Sequence, residues 1–245
     1  MMQFPKQSIL SRSHVLRMAM LSQRAVDYAT KAYALNSLEL CGQVHQTKRD
    51  LHDLHLSIGE RGRRLFATGV PIDSHSPQAY GSLRIYSALR VMFTAATEIA
   101  QNMMIIAARE REDEFPQTVE SGKFVNGLVR ICTVALFEED TWLAKRALHI
   151  EGGRRRFDLA LFRARLDLFR RSCTHCGREL AIANCIGQIA EQAYEIAEGL
   201  IVWLDGRSYT NSAVAYATKA RPMRLNRWPA GQVPIMYRQT ALTLP

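Results

Sequence analysis

The sequence predicts an all-α fold: two tandem antiparallel three-helix bundles, six helices in all, followed by an irregular basic tail. Three observations lead there. The chain has 245 residues but only 14 glycines and 8 prolines, too little punctuation for a many-turned β-sandwich. Long stretches repeat apolar residues at i, i+3, i+4 and i+7, the period of a helix with one buried face. The plan of long helices then recurs in the second half of the chain. At 47% hydrophobic and 22% charged residues, the composition is that of a globular protein large enough to bury a core without metals or disulfides.

The first helix spans about 11–35, with Ser11 or Ser13 as its cap. Its apolar stripe runs through Leu16 and Met20, then Ala25 or Val26, Tyr28 or Ala29, and Ala32 or Tyr33. Asn36-Ser37 breaks it. The second spans about 38–67 along Leu40, Val44, Leu51, Leu54, Ile58 and Leu65, its other faces strongly charged. Gly69, Pro71 and Pro77 mark a loop. The third runs from Pro77, acceptable in a first turn, to about Arg109. Its stripe is Leu89, Met92, Phe93, Ala96, Ile99, Ala100, Met103, Ile106 and Ala107. A charged stretch ending at Pro116 then connects the two halves.

The second half repeats the plan. A fourth helix is expected at 119–137 and a fifth at 140–171, with Gly152-Gly153 a point where the fifth can break. A sixth is expected at 175–205, with a stripe of Ile186, Ile189, Ala190, Ala193, Ile196, Ala197, Leu200 and Trp203. Residues carry the repeat too. Glu98-Ile99-Ala100-Gln101-Asn102 aligns with Gln188-Ile189-Ala190-Glu191-Gln192, and Ala34-Leu35 with Ala135-Leu136. The expected units are 11–110, 117–206, and a tail at 207–245.

Charge is uneven. Six of the nine net positive charges lie after Asp205, so the body is only mildly basic and specific nucleic-acid binding is not expected. The stretch 91–108, the most apolar, carries a polar stripe unsuited to lipid. Five cysteines and no secretory segment suggest reduced thiols and a cytoplasmic protein.

Several pieces together resemble the PhoU family of regulators of bacterial phosphate uptake. Pro71 with Ser82-Leu83-Arg84-Ile85 resembles the family's entry to its third helix, with Ser82 where the family has Asp. The run 186–206 (IGQIAEQAYEIAEGLIVWLDG) resembles the end of the family's last helix, and 34–40 resembles the join of helices one and two. The likeness covers 13–206. It implies a non-catalytic protein that restrains the phosphate transporter and its sensor kinase by docking. The implied partner is a transporter ATPase or sensor histidine kinase, with a homodimer also compatible and membrane association at most peripheral.

Family members typically carry Glu-x-x-x-Asp on the third helix of each bundle, two carboxylates on one face that can share a hard cation. The matching positions here are Thr97 and Gln101 in the first half and Gly187 and Glu191 in the second; a one-residue shift offers Glu98 and Asn102. A divalent metal ion is therefore the one cofactor to test, and none is required. The alternative function is a helical metal-binding protein that kept the fold but not phosphate signalling, using His52, His55 and Glu191. Glu191, Glu195 and Glu198 are read either as lining a residual cation site or as an exposed acidic stripe. Arg154, Arg155 and Arg156 are candidates for partner docking. Cys173 and Cys176 form one C-x-x-C, half of what a zinc site needs, and are read as reduced thiols. No nucleophile elbow, P-loop or dinucleotide fingerprint occurs.

Overall fold

The computed structural model describes residues 11–67, 77–107, 115–149, 153–170 and 175–205. The basic tail expected at 207–245 lies outside them. Seven helices and no strands occur among the described residues: α1 (Arg12–Leu35), α2 (Leu38–Ala67), α3 (Pro77–Ala107), α4 (Pro116–Glu138), α5 (Thr141–Leu148), α6 (Gly153–Arg170) and α7 (Cys176–Asp205). The expected fifth helix is two. α5 closes where the His149 amide donates to the Lys145 and Arg146 carbonyls at 3.0 and 3.1 Å, and α6 begins at Gly153. None of the described helices is long and apolar enough to cross a membrane.

The two halves end their first helices in the same way. Ser11 caps α1 by accepting from the His14 amide at 3.3 Å. α1 then stops at Asn36, in the left-handed conformation with φ 50°, and the Ser37 amide donates back to the Ala32 carbonyl. α4 stops at Glu139, φ 55°, with the Asp140 amide returning to Ala135. Each stop is followed at once by a side-chain cap. Ser37 Oγ accepts from the Leu40 amide, and Asp140 Oδ1 accepts from the Trp142 and Leu143 amides. A left-handed residue and a capping oxygen in succession turn the chain sharply into an antiparallel neighbour.

α1, α2 and α3 pack on one another, as do α4 with α5 and α6, and α7 with α4, α5 and α6. The most extensive contact is between α3 and α7, the last helix of each half. The stripes expected for these two helices are buried, apart from the half-buried Ala107. The stripe expected for α1 is buried from Ala25 onward but not at its start, where Leu16 is half-buried. Met20 is 46% exposed, while Val15, Met18, Ala19, Ser22, Ala25, Val26, Ala29, Ala32 and Tyr33 face inward. α1 touches α2, α3 and α4, so it buries more than one face with small residues and lacks a single large-residue stripe.

Candidate functional site

Helices α3 and α7 carry most of the residues singled out from the sequence, and they pack on each other along a seam. The helices run antiparallel along it. At one end Gly81 meets Gly199. A Cβ on Gly81 would stand 2.9 Å from the Gly199 carbonyl oxygen and from Trp203 Cβ, and one on Gly199 would stand 2.9 Å from Ile85 Cγ1. Two glycines therefore let the backbones approach more closely than any side chain permits. One turn on, Arg84 reaches across α7. Its Nε donates to Glu195 Oε2 and its Nη2 to Glu198 Oε2, both at 2.6 Å. The hydrogen bond to Glu195, helped by that to Glu198 and by the charge of both carboxylates, outweighs the cost of partial burial and raises the Arg84 pKa above its ordinary value. Two of the three glutamates of the α7 acidic stripe, Glu195 and Glu198, thus have a cation built in, and that cation is Arg84.

At the other end, Cys185 Sγ donates to Glu98 Oε2 at 3.3 Å, and Arg178 donates to Asn102 Oδ1 at 3.3 Å. Burial, then the hydrogen bond and negative charge of Glu98, push the Cys185 thiol up to about 12, so it stays protonated at neutral pH.

The positions expected from the sequence to match the family's paired carboxylates are occupied by other chemistry. Thr97 is buried and donates its hydroxyl to the Phe93 carbonyl at 3.0 Å. Gln101 is exposed. Gly187 is buried under α6. A Cβ there would meet Arg165 Nη2 at 2.6 Å and Leu161 Cδ2 at 2.8 Å, so a guanidinium covers the place where a carboxylate would begin. Glu191 and Glu98 are exposed. Among the described residues, no three of His, Cys, Asp or Glu gather closely enough to hold a metal ion. The residues at these positions do not fit a divalent cation: one hydroxyl is spent on its own helix, and a fixed positive charge stands over the glycine.

The histidines of α2 do not assemble either. His52 is exposed, while His55 is half-buried and meets the edge of Tyr86, ring centroids 6.2 Å apart. Burial, Arg90 and His52 lower the His55 pKa, which favours the neutral ring. Arg154, Arg155 and Arg156 fall in the first turn of α6, and their side chains lie outside the described residues. Cys176 is disulfide-bonded, correcting the reading of reduced thiols at this motif, whereas Cys41, Cys132 and Cys185 are free and buried.

No family profile matches the chain. A curated relative does: the chain is 25% identical over 138 residues to a "phosphate-specific transport system accessory protein PhoU homolog" from Aquifex aeolicus. The match takes in 56% of this chain and 62% of that protein, less than two thirds of the relative's length. The fold agrees over a longer span. PhoU from Pseudomonas aeruginosa superposes with a TM-score of 0.67 at 19% identity, covering 80% of this chain and 96% of that one. The phosphate transport system regulatory protein PhoU from Streptococcus pneumoniae gives 0.63 at 15% identity, covering 80% and 94%. The chain has the PhoU fold and shares sequence with a PhoU homolog over part of its length.

Within a PhoU fold, two residues stand out that the sequence did not assign. Arg84 was visible as part of the third-helix entry, but its partners lie more than a hundred residues away. Arg165 had one indirect signal, an isolated glycine inside the otherwise regular α7 stripe, which usually marks a close approach.

Proposed function

We propose that this chain is a non-catalytic, cytoplasmic regulator of phosphate uptake and phosphate-starvation signalling. It acts by docking a helical face onto a phosphate-transporter ATPase or its sensor histidine kinase, with Arg154, Arg155 and Arg156 as candidate contacts. One observation carries the reading: a relative named for phosphate-specific transport shares sequence with this chain, which has the fold of two PhoU structures. The occupied motif positions support docking over cation chemistry. Thr97 and Gly187 supply no carboxylate, and Arg165 puts positive charge where a metal would have to compete with it. Helical bundles recognise partners through flat faces whose charge pattern sets the choice. Labelled-phosphate uptake by native cells in phosphate-rich medium, with the gene deleted and then restored, tests the proposal. A rise on deletion that is reversed on restoration is expected. Uptake that ignores the deletion overturns it.

A further inference from the structure

Helix α6 is apolar on two sides. Phe157, Leu161, Ala164 and Leu168 are buried, and among the described residues α6 packs only on α4 and α7. A second set faces away from that contact. Leu159 is 49% exposed, Phe162 60% and Phe169 82%, with Leu166 half-buried between the phenylalanines. Positions 159, 162, 166 and 169 are spaced i, i+3, i+7 and i+10, which places them on one line along the helix. Single exposed apolar residues are ordinary, but two phenylalanines and two leucines in line are a binding feature.

The charge beside that line has a sign. Arg163 and Arg170 are exposed and each follows a phenylalanine by one residue, so both run along the same edge of the stripe. The helix carries six arginines (Arg154, Arg155, Arg156, Arg163, Arg165 and Arg170) against two aspartates, Asp158 and Asp167. A second copy of the chain seated on this face would set arginine against arginine, which opposes self-pairing. A protein groove would need a shape matched to α6, whereas an anionic bilayer surface needs only the apolar line and the positive edge. Those are the two features present, and they are the ones by which a helix lies in a membrane interface.

We propose that α6 is a membrane-surface helix. Leu159, Phe162, Leu166 and Phe169 enter the headgroup–acyl boundary of an anionic bilayer, while Arg163 and Arg170 pair with lipid phosphates. The proposal needs no transporter or kinase and does not rest on the regulatory reading.

Co-sedimentation of the full chain with vesicles tests it, using phosphatidylcholine alone and phosphatidylcholine mixed with phosphatidylglycerol. Binding to the mixed vesicles, weak on phosphatidylcholine and falling with salt, is expected. The double substitution Phe162→Ser with Phe169→Ser should weaken binding by about tenfold or more, since two buried aromatic anchors are lost. Arg163→Gln with Arg170→Gln should weaken it less and flatten the salt dependence. All four positions are exposed, so the circular dichroism spectrum and melting temperature should match the parent; the arginine pair repeats the test should the serine pair misfold. Three results overturn the proposal: no binding to mixed vesicles, binding unchanged by both double variants (lipid contact through the basic tail instead), or a serine variant whose sole effect is to turn a dimer into a monomer by light scattering.

Discussion

Helices α2 and α7 are each 30 residues long, yet they occupy opposite settings. Among the described residues α2 packs on α1 and α3 alone, and its histidines and most of its arginines whose burial is described face outward or lie at the margin. α7 is packed by α3, α4, α5 and α6, and most of its length is buried. The difference teaches where each kind of residue can carry function. A helix surrounded by neighbours uses small residues to admit them, as Gly187 admits Arg165 and Gly199 admits α3. A helix at the margin is free to vary its exposed side. The glycines show it: a Cβ on Gly42 or Gly59 of α2 would have nothing within 4 Å, whereas Gly81 and Gly187 are closed in below 3 Å.

Substitution on the seam should have the largest effect. Gly81→Ala forces a Cβ against the Gly199 carbonyl and the Trp203 backbone, and overpacking of that kind costs about 1–3 kcal/mol, a drop of roughly 2–4 °C in Tm per kcal/mol for a chain this size. Gly199→Ala should cost less, since Ile85 is a side chain that can shift. A melt of Gly81→Ala equal to the parent would break the comparison.

Next come the charged contacts. Asp27 of α1 receives hydrogen bonds from Asn126 at 2.7 Å, Lys31 at 2.7 Å and Arg130 at 2.8 Å. Burial alone would raise its pKa, but the bonds from Asn126 and Lys31, with the positive charge of Lys31 and Arg130, more than offset burial and hold it below the ordinary 3.8. A carboxyl with a depressed folded pKa stabilises fully above its unfolded value and loses that contribution as pH falls from 3.8 through the lower folded value. Asp27→Asn should therefore cost about 1 kcal/mol at neutral pH and make acid unfolding less steep in that window. Arg84→Met, which leaves Glu195 and Glu198 without their cation, should cost up to about 1 kcal/mol, as the group is partly exposed. Urea titration reads both.

The α2 glycines should move stability the other way. Gly42→Ala and Gly59→Ala each add about 0.5–1 kcal/mol, because helix propensity improves and nothing is struck. Smallest in free energy is a labelling test. Cys132 and Cys185, both pushed up to about 12 by burial, should resist alkylation at pH 8 in the native chain and react only on unfolding. Rapid native labelling of Cys185 would mean that the seam opens.

Much of this was legible in the sequence because α3 and α7 present large apolar residues at an unbroken helical period. The first half of α1 was misread, since its inward residues there include Val15, Ala19 and Ser22, and Leu16 and Met20 offered a stronger but false start to the stripe; from Ala25 on the expected positions are buried. Gly152-Gly153 signalled the division of the fifth helix without deciding it. At the site, the internal repeat pointed to Thr97 and Gly187 as equivalents of the family's acidic positions. What fills them depends on residues distant in sequence or on another helix. No local pattern could pair Arg84 with Glu195 and Glu198, or lay Arg165 over Gly187.

In the proposal above, this chain of PhoU fold works through its outer helical faces and not through carboxylate-held cations. Co-purification of the tagged chain from native cells, grown with high and low phosphate and repeated with a Glu98→Gln, Glu191→Gln variant, tests it most directly. The account predicts recovery of a phosphate-transporter ATPase or sensor kinase that changes with phosphate and survives the carboxylate substitutions. Recovery of neither in both conditions, or its loss in the variant, would contradict it.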